Sequence, residues 1–269
     1  MNLNLSLLSI LFFLTSSCET GKLTPLADLP SSLKETSAIE LAKGSDLLWV
    51  IEDAGNKNNL YGLNPGGKIV KDIDIDNVQN IDWEDLTSDT DGNIYIGDIG
   101  NNSKKRKNFA IFKVSQPATL DETTDAEVIS FKLPKDMKSE DFESFFLHND
   151  WFYLFSKENK KTKLIKVPNQ IGDHEAIYIS DYKLKGKNTK VTSADISDDG
   201  KTVVLLNHDK LWKLTGFSSD NFFEGTVEAV EFEHDTQKEG INLVGSNKVL
   251  ITDEKDKSEG GNIYSFVFE

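Results

Sequence analysis

The feature that most constrains the fold of this chain is a unit that recurs five times along it. Each copy opens with Ser or Glu, continues as a short apolar strand and a polar turn, and ends with a second apolar strand. Two strands joined by a tight polar turn form a β-hairpin. A repeat of roughly fifty residues is longer than a hairpin needs and matches a four-stranded β-propeller blade. The copies begin at Ser37, Glu84, Glu143, Ser193 and Glu239.

Strand material outside the hairpins predicts how the propeller closes. The first four copies each contain two further strand segments, whereas the fifth contains only one, from Asn262 onward. The segment from Lys22 to Leu29 is the candidate for the missing outer strand, and its pairing would remove two exposed sheet edges. The sequence therefore predicts an all-β, single-domain propeller of five blades closed by an N-terminal strand. A six-bladed propeller is the alternative.

The N-terminus carries an export pattern. Residues 1–17 contain no charged side chain, and their apolar stretch from Leu5 to Leu14 is too short to span a bilayer in a mature protein. Small residues then precede Cys18, the only cysteine. This pattern resembles the lipobox of bacterial lipoproteins, although it lacks the usual Lys or Arg of the n-region, and its Leu lies one place further than usual from the cysteine. An ordinary export signal is the alternative.

The lipobox resemblance implies a division of the chain. Residues 1–17 would be the signal peptide, residues 18–21 a lipidated tether and residues 22–269 the propeller domain. Lipidation of Cys18 with more than one acyl chain, such as palmitate, would anchor the protein stably to a membrane. We expect a monomer in the bacterial cell envelope, on a periplasmic or surface-exposed face.

The formal net charge of −15 restricts the partners. Such an acidic surface repels phosphate backbones, so nucleic acid is not expected to bind. Divalent cations and cationic ligands are better suited to the negative electrostatic potential of this surface. Two basic runs, Lys104 to Lys107 and Lys157 to Lys163, are interpreted as solvated loops. The expected partners are the membrane, through the lipid anchor, and an unidentified small molecule or protein ligand.

The repeat also predicts a metal site. The first strand of each propeller blade lines the central channel, so the residues that open the five copies should converge there. Three of them are glutamates, which must share protons, spread into water or hold a cation. Calcium suits such a site because it accepts many oxygen ligands in flexible geometry. A hydrated polar channel without a metal is the alternative.

The same residues carry a family resemblance. The strand starts WED, FES and KEG, with Ser in the other two blades, resemble the calcium-activated nucleotidases of the apyrase family. That family has five-bladed propellers whose central calcium is held by Glu and Ser from successive inner strands. It places a further acid beside its first-blade Ser, where this chain has Ala38. The resemblance implies calcium ligation by five residues: Ser37, Glu84, Glu143, Ser193 and Glu239.

A second resemblance covers most of the chain after Cys18. The segments KETSAI, LWVIEDAGN and NIDWEDLTSDTDGNIYIGDIGNN are similar to exported bacterial propeller proteins that are known by their fold rather than by an activity. These proteins are related in pattern to phytase-like and esterase-like propeller domains. The resemblance implies the propeller fold and leaves the reaction open.

A DxGN sequence occurs twice, at residues 53–56 and 98–101. Gly and Asn accept positive φ and Asp can cap its own turn, so a structural role is sufficient. The functional alternative is a ligand-binding loop at one mouth of the channel, because binding residues often lie on loops held by a rigid scaffold. The residues of that predicted loop site are Asp53, Asn56, Asp98, Asn101 and Arg106.

Two hypotheses about function remain open from the sequence. In the first, a membrane-anchored propeller binds a ligand or partner and catalyses nothing. In the second, the bound calcium polarises a phosphoryl oxygen and the protein is a calcium-dependent phosphohydrolase, similar to a nucleotidase or a phytase. The lack of a GxSxG elbow and of a phosphate-cradling glycine loop argues against serine hydrolases and nucleoside triphosphate binding. Whether the protein is an enzyme is therefore undecided at this stage.

Overall fold

The computed structural model describes residues 20–257 and 259–269. The predicted signal peptide and the predicted lipidation site at Cys18 lie outside these residues. Within the part of the chain that is described, no helix is both long enough and apolar enough to cross a membrane. Apart from two short 3₁₀ helices, Pro117–Thr119 and Phe222–Glu224, the regular structure of residues 20–257 and 259–269 is β-strand.

Twenty-two strands among the described residues form five sheets. The chain opens with β1 (Thr24–Asp28). Blade 1 contains β2 (Thr36–Glu40), β3 (Leu48–Glu52), β4 (Asn59–Leu63) and β5 (Ile69–Ile75). Blade 2 contains β6 (Trp83–Ser88), β7 (Ile94–Asp98) and β8 (Phe109–Val114), then, after the short β9 (Thr123–Thr124), β10 (Glu127–Lys132).

The remaining three sheets follow the same order. Blade 3 contains β11 (Phe142–His148), β12 (Trp151–Ser156) and β13 (Thr162–Pro168), then, after β14 (Gly172–Glu175), β15 (Ile177–Tyr182). Blade 4 contains β16 (Ser193–Ile196), β17 (Thr202–Leu206), β18 (Lys210–Thr215) and β19 (Thr226–Glu231). Blade 5 contains β20 (Lys238–Val244), β21 (Lys248–Asp253) and β22 (Asn262–Val267), with β1 on its outer edge.

This topology confirms the predicted five-bladed propeller and its closure by an N-terminal strand. β1 pairs antiparallel with β22, so the outer strand of the last blade comes from before the first repeat. The inner strands β2, β6, β11, β16 and β20 contact one another around a closed ring. Two further strands extend earlier blades, because β9 pairs parallel with β5 and β14 pairs parallel with β10. These additions cover the outer edges of blades 1 and 2.

The apolar core lies between the blades. Five clusters of buried residues, one at each interface between neighbouring blades, hold the ring together. The second strands β3, β7 and β17 are buried at every residue, and β12 and β21 at all but their first, because each blade is covered on both faces. The outer strand β19 contains only exposed and partly buried residues. Buried residues are therefore more frequent in the second strands than in the outer strand β19.

Candidate functional site

Irregular pairing marks the start of the inner strand in four of the five blades. In each of them the register against the second strand shifts at the residue that opens the repeat: Ser37, Glu84, Glu143 and Glu239. In blade 4, Ser193 holds the equivalent position and pairs with Leu206. A β-bulge re-aims a side chain, and bulges are frequent beside functional sites. The five predicted residues therefore occupy equivalent positions at one end of the channel, which we call the upper mouth.

The two serines of this set are engaged inside the protein. Ser37 Oγ donates a hydrogen bond to the carbonyl oxygen of Trp83 at 3.0 Å, which links blade 1 to blade 2. Ser193 Oγ donates to Asp85 Oδ1 at 2.9 Å and accepts from the N–H of Ile241 at 3.1 Å. Both serines are buried. Ser37 links neighbouring blades, Ser193 links β16 to β20 beside it and to β6 across the channel, and the three glutamates supply the charge.

A second set of equivalent residues follows the second strand of each blade. Because each second strand pairs with an inner strand, these residues also lie at the upper mouth. They are Asp53, Ile99, Lys157, Asn207 and Glu254. The sequence pattern predicts a site role only for Asp53 among these five and places Lys157 in a solvated basic loop. That interpretation is wrong for Lys157, whose side chain is only 18% exposed.

Lys157 and His208 hold two of the three glutamates. The ammonium of Lys157 forms an ion pair with Glu143 Oε2. His208 Nε2 lies 3.1 Å from Glu239 Oε1. Burial disfavours the charged form of Lys157, but the carboxylates of Glu239, Glu143 and Glu84 outweigh it, so the pKa of Lys157 lies above its ordinary value. Lys157 therefore carries a full positive charge into the upper mouth.

The third glutamate belongs to a different group. Glu84, Asp53 and Asp82 each present a carboxylate oxygen, and the three oxygens lie within 4.8 Å of one another. We call these residues the carboxylate triad. Glu84 is 6% exposed, and its Oε1 has no hydrogen-bonding partner among the described residues. The triad is thus a set of three carboxylates in which one buried oxygen, Glu84 Oε1, has no hydrogen-bonding partner among the described residues.

The electrostatics of the triad follow from its crowding. Burial, followed by the carboxylates of Glu143, Asp53 and Asp82, raises the pKa of Glu84 well above its ordinary value. Burial and the Asp53 carboxylate raise the pKa of Asp82 to about 6. Carboxylates this close cannot all ionise freely unless a proton or a cation lies between them. The site can therefore hold protons at low pH or a cation at higher pH.

Short polar contacts between blades 1 and 2 position the triad. The side-chain amide of Asn80 donates to the carbonyl oxygens of Glu52 at 2.8 Å and Asp53 at 2.9 Å, and its Oδ1 accepts from the N–H of Trp83 at 3.1 Å. The N–H of Asp82 donates to Asp98 Oδ1 at 3.0 Å. The hydrogen bonds of Asn80 bring the end of β3 against the start of β6, and the bond of Asp82 fixes it to the end of β7. Neither Asn80 nor Asp82 stands out in the sequence, because both precede the strand and lie outside the repeat.

The residues of the predicted DxGN loop site separate in the structure. Asp53 joins the carboxylate triad, whereas Asn56 donates to Glu35 Oε2 at 2.7 Å. Arg106 forms a two-bonded ion pair with Asp98, at 2.8 and 2.7 Å. The side-chain amide of Asn101 donates to Ser139 Oγ and to the carbonyl of Glu140, at 2.8 and 2.9 Å. Apart from Asp53, these residues hold the loops in place. Asn56 binds the segment before β2, Arg106 binds Asp98 within the second DxGN loop, and Asn101 binds the segment before β11 of blade 3.

Asp85 lies deeper in the channel than Glu84 and is fully buried. Its carboxylate accepts four hydrogen bonds, from the N–H groups of Leu86, Phe145 and Ala194 and from Ser193 Oγ, at distances of 2.9 to 3.2 Å. These donors come from blades 2, 3 and 4. The acid that the family resemblance implies beside Ser37 is missing at Ala38, and the equivalent position of blade 2 carries this buried acid instead.

The opposite end of the channel is a separate polar cavity, which we call the lower mouth. It has a volume of about 770 Å³ and is lined by the ends of all five inner strands and the turns after them. The Asn242 amide donates to Glu40 Oε2 at 3.0 Å and to Asp195 Oδ2 at 3.2 Å. Burial, with a further contribution from Asp195, raises the pKa of Glu40 to about 8. No residue of the predicted sites lies in this cavity.

Comparison with known proteins supports the fold and leaves the site open. No protein-family profile matches the sequence, and no curated protein is significantly similar to it. Among solved structures, the chain is similar to the PQQ-bound form of an aldose sugar dehydrogenase from Streptomyces coelicolor. The identity is 8% and the TM-score 0.52, with 91% of this chain and 97% of the other covered. At this identity the similarity concerns the fold alone.

Proposed function

We propose that this protein is an exported, lipid-anchored propeller that holds a divalent cation, calcium first, in the carboxylate triad and binds a ligand or partner at the upper mouth. One observation carries the metal site. Glu84 Oε1 is buried without a hydrogen-bonding partner and belongs to three carboxylate oxygens within 4.8 Å of one another. A buried charged oxygen without a partner is costly, and a cation would supply the missing interaction.

The donor set suits calcium. Calcium takes six to eight oxygen ligands in flexible geometry, and carboxylates are its usual anionic ligands. The triad offers three such groups, and Asp53 and Asp82 are partly exposed, so water or an oxygen of a ligand could complete the coordination. Of the five residues expected from the sequence, Glu84 is the one we assign to the metal. Glu143 and Glu239 already face Lys157 and His208.

We favour ligand binding over phosphoryl hydrolysis. A phosphohydrolase needs cationic side chains to bind the phosphate, and the basic run Lys104 to Lys107 beside the second DxGN loop is the candidate for that role. Arg106 is committed to Asp98, and Lys104 forms ion pairs with Glu140 and Glu158. A phosphate would have to break these pairs to recruit either side chain. The contacts of Arg106 and Lys104 therefore support a structural role for these two residues.

The anchoring part of the proposal rests on the sequence around Cys18. A lipidated cysteine would keep the mature chain with the membrane, whereas a Cys18→Ser variant would be exported and found in the soluble fraction. The measurement is fractionation of bacterial cells that express either chain, followed by mass spectrometry of the N-terminal peptide. Equal partition of both chains to the soluble fraction would contradict lipid anchoring.

The metal site is tested by thermal unfolding of the mature chain, residues 18–269, with Cys18→Ser so that it stays soluble. Calcium at a hundredfold excess over its dissociation constant should stabilise the folded state by about 2.7 kcal/mol relative to chelator. For a protein of this size that corresponds to a rise in Tm of roughly 5–10 °C. A Glu84→Gln variant should melt at the same temperature with and without calcium.

A matched control separates this site from the other acids of the channel. Glu40→Gln makes the same chemical change at a buried glutamate of the lower mouth. It should keep the full calcium response. A calcium response that survives Glu84→Gln, or that disappears equally in Glu40→Gln, would refute the assignment to the triad.

A further inference from the structure

Lys157 is a cation built into the upper mouth. It follows β12 at the position equivalent to Asp53 in blade 1 and Glu254 in blade 5. Its ion-pair partner Glu143 has a side chain only 2% exposed, so the ammonium is drawn into the channel rather than out to solvent. Among the five residues that follow the second strands, Lys157 carries the positive charge, and Asp53 and Glu254 are the acids.

The charge of Lys157 acts on the candidate metal ligands. It lowers the pKa of Glu84 and of Asp53, against the effect of burial on both. These are two of the three triad residues. Glu239, Glu143 and Glu84 in turn stabilise the ammonium. Lys157 and a metal ion bound to the triad would therefore interact with the same carboxylates.

We propose that Lys157 is a tethered cation that weakens metal binding at the carboxylate triad and so sets the calcium concentration at which the site fills. This inference rests on the proposed function. Two positive charges in one partly buried mouth repel each other, and this repulsion is weakly screened because the groups are shielded from water. Ligand charge count is a main determinant of calcium affinity, and a neutral residue at position 157 would raise the net negative charge of the mouth by one.

The proposal gives the lysine a regulatory role. With Lys157 in place, the site is expected to bind calcium with a dissociation constant in the range of about 10⁻⁴ to 10⁻³ M, as in extracellular calcium modules. The protein would then be loaded outside the cytoplasm and empty at cytosolic calcium concentrations. This fits a chain with an export pattern at its N-terminus.

The test is isothermal titration of calcium into the mature chain with Cys18→Ser and into three position-157 variants. Lys157→Gln and Lys157→Met remove the charge, and the glutamine retains an N–H group that can donate to Glu143. Lys157→Arg keeps the charge. We expect the neutral variants to bind calcium at least tenfold more tightly than the parent, and the arginine variant to lie within threefold of it. Circular dichroism before each titration checks that the variant is folded.

The outcomes distinguish the inference from the proposed function. Equal calcium affinity in the parent and in the folded neutral variants would overturn the role of Lys157 and leave the metal site standing. No binding to any of the four chains would overturn both. Binding to the neutral variants alone would support the inference and contradict calcium loading of the natural chain. If Lys157→Arg bound calcium as tightly as the neutral variants, the size of the side chain rather than its charge would determine the affinity, and the inference would be overturned.

Discussion

At the scale of single residues, the upper mouth depends on the absence of a side chain at Gly100. A Cβ added there would lie 2.1 Å from Glu84 Oε1 and 2.5 Å from Asp82 Oδ2. Such distances are far below any normal contact, so the carboxylates would have to move. Glycine is required here because the backbone approaches the triad closely, and this is the glycine of the second DxGN sequence.

A Gly100→Ala substitution should therefore disturb the metal site and the fold together. We expect it to lower the free energy of unfolding by about 1–3 kcal/mol through overpacking. We also expect the calcium-dependent rise in Tm to be lost. Gly66→Ala is the control, because its added Cβ would meet only Asn64 Oδ1, at 3.4 Å. If Gly100→Ala kept the calcium-dependent rise in Tm, the assignment of the metal to the carboxylates beside Gly100 would be contradicted.

A second residue-scale prediction concerns pH at the lower mouth. The pKa of Glu40 is raised from 4.5 to about 8, so between these values the folded chain keeps a proton that the unfolded chain has lost. The contribution of this group to stability is therefore present below pH 4.5 and declines as pH rises through about 8. Glu40→Gln cannot ionise. Relative to wild type, its free energy of unfolding should rise by at least about 1.4 kcal/mol between pH 5 and pH 9.

Urea unfolding at pH 5, 7 and 9 measures this difference. Glu228→Gln, on the exposed outer strand of blade 4, is the control and should show no such trend. The groups facing Glu40 are Ser88, Asn242 and Asp195, with Asp198 nearby, and the substitution leaves all four in place. A flat difference between wild type and Glu40→Gln would show that the lower mouth does not hold this proton.

At the scale of strands, the inner strands are tied to one another across the channel by polar side chains. Asp85 on β6 accepts hydrogen bonds from the backbone of β11 and β16. The equivalent positions of the other blades carry small residues, namely Ala38, Ser144, Ala194 and Gly240. Asp85 is thus the one larger side chain at this level of the channel, where the other four blades carry small residues. Its hydrogen bonds join blades 2, 3 and 4.

Removing this acid should loosen the ring at a defined place. We expect Asp85→Ala to lower the free energy of unfolding by about 3 kcal/mol or more, because four buried donors lose their acceptor. Amide hydrogen exchange at Phe145 and Ala194 should accelerate most. Ser144→Ala is the control, since its hydroxyl donates only within blade 3, to the carbonyl of Phe155. Protection of both amides in Asp85→Ala would refute the role of this carboxylate.

At the scale of the whole molecule, stability depends on closure of the ring. β1 completes blade 5, and the N–H of Lys22 donates to the carbonyl of Phe232 beside blade 4. Without β1, β22 would become an unpaired edge strand, which is a site of aggregation as well as of lost stability. The two core clusters on either side of blade 5 would also lose Leu23 and Leu29.

A chain that begins at Leu33, and therefore lacks β1, should lose cooperative unfolding or melt far below the mature chain. We expect it to form soluble aggregates at micromolar concentration, which size-exclusion chromatography with light scattering would detect. The mature chain from residue 18 is the control. Adding a synthetic peptide of residues 20–32 should restore part of the stability by strand addition. An unchanged Tm in the truncated chain would contradict closure by this strand.

Local periodicity in the sequence determined the blade number, the hairpins, the missing outer strand and the five residues that open the repeats. These follow from the alternation of side chains along a strand and from turn chemistry, which act over a few residues. The tertiary structure alone decided which charges meet. Asp53, Asp82 and Glu84 come from two blades, and Lys157 reaches Glu143 only because a bulge re-aims that glutamate. The meeting of Asp53 with Asp82 and Glu84 depends on the angle between blades 1 and 2, and no local pattern encodes that angle.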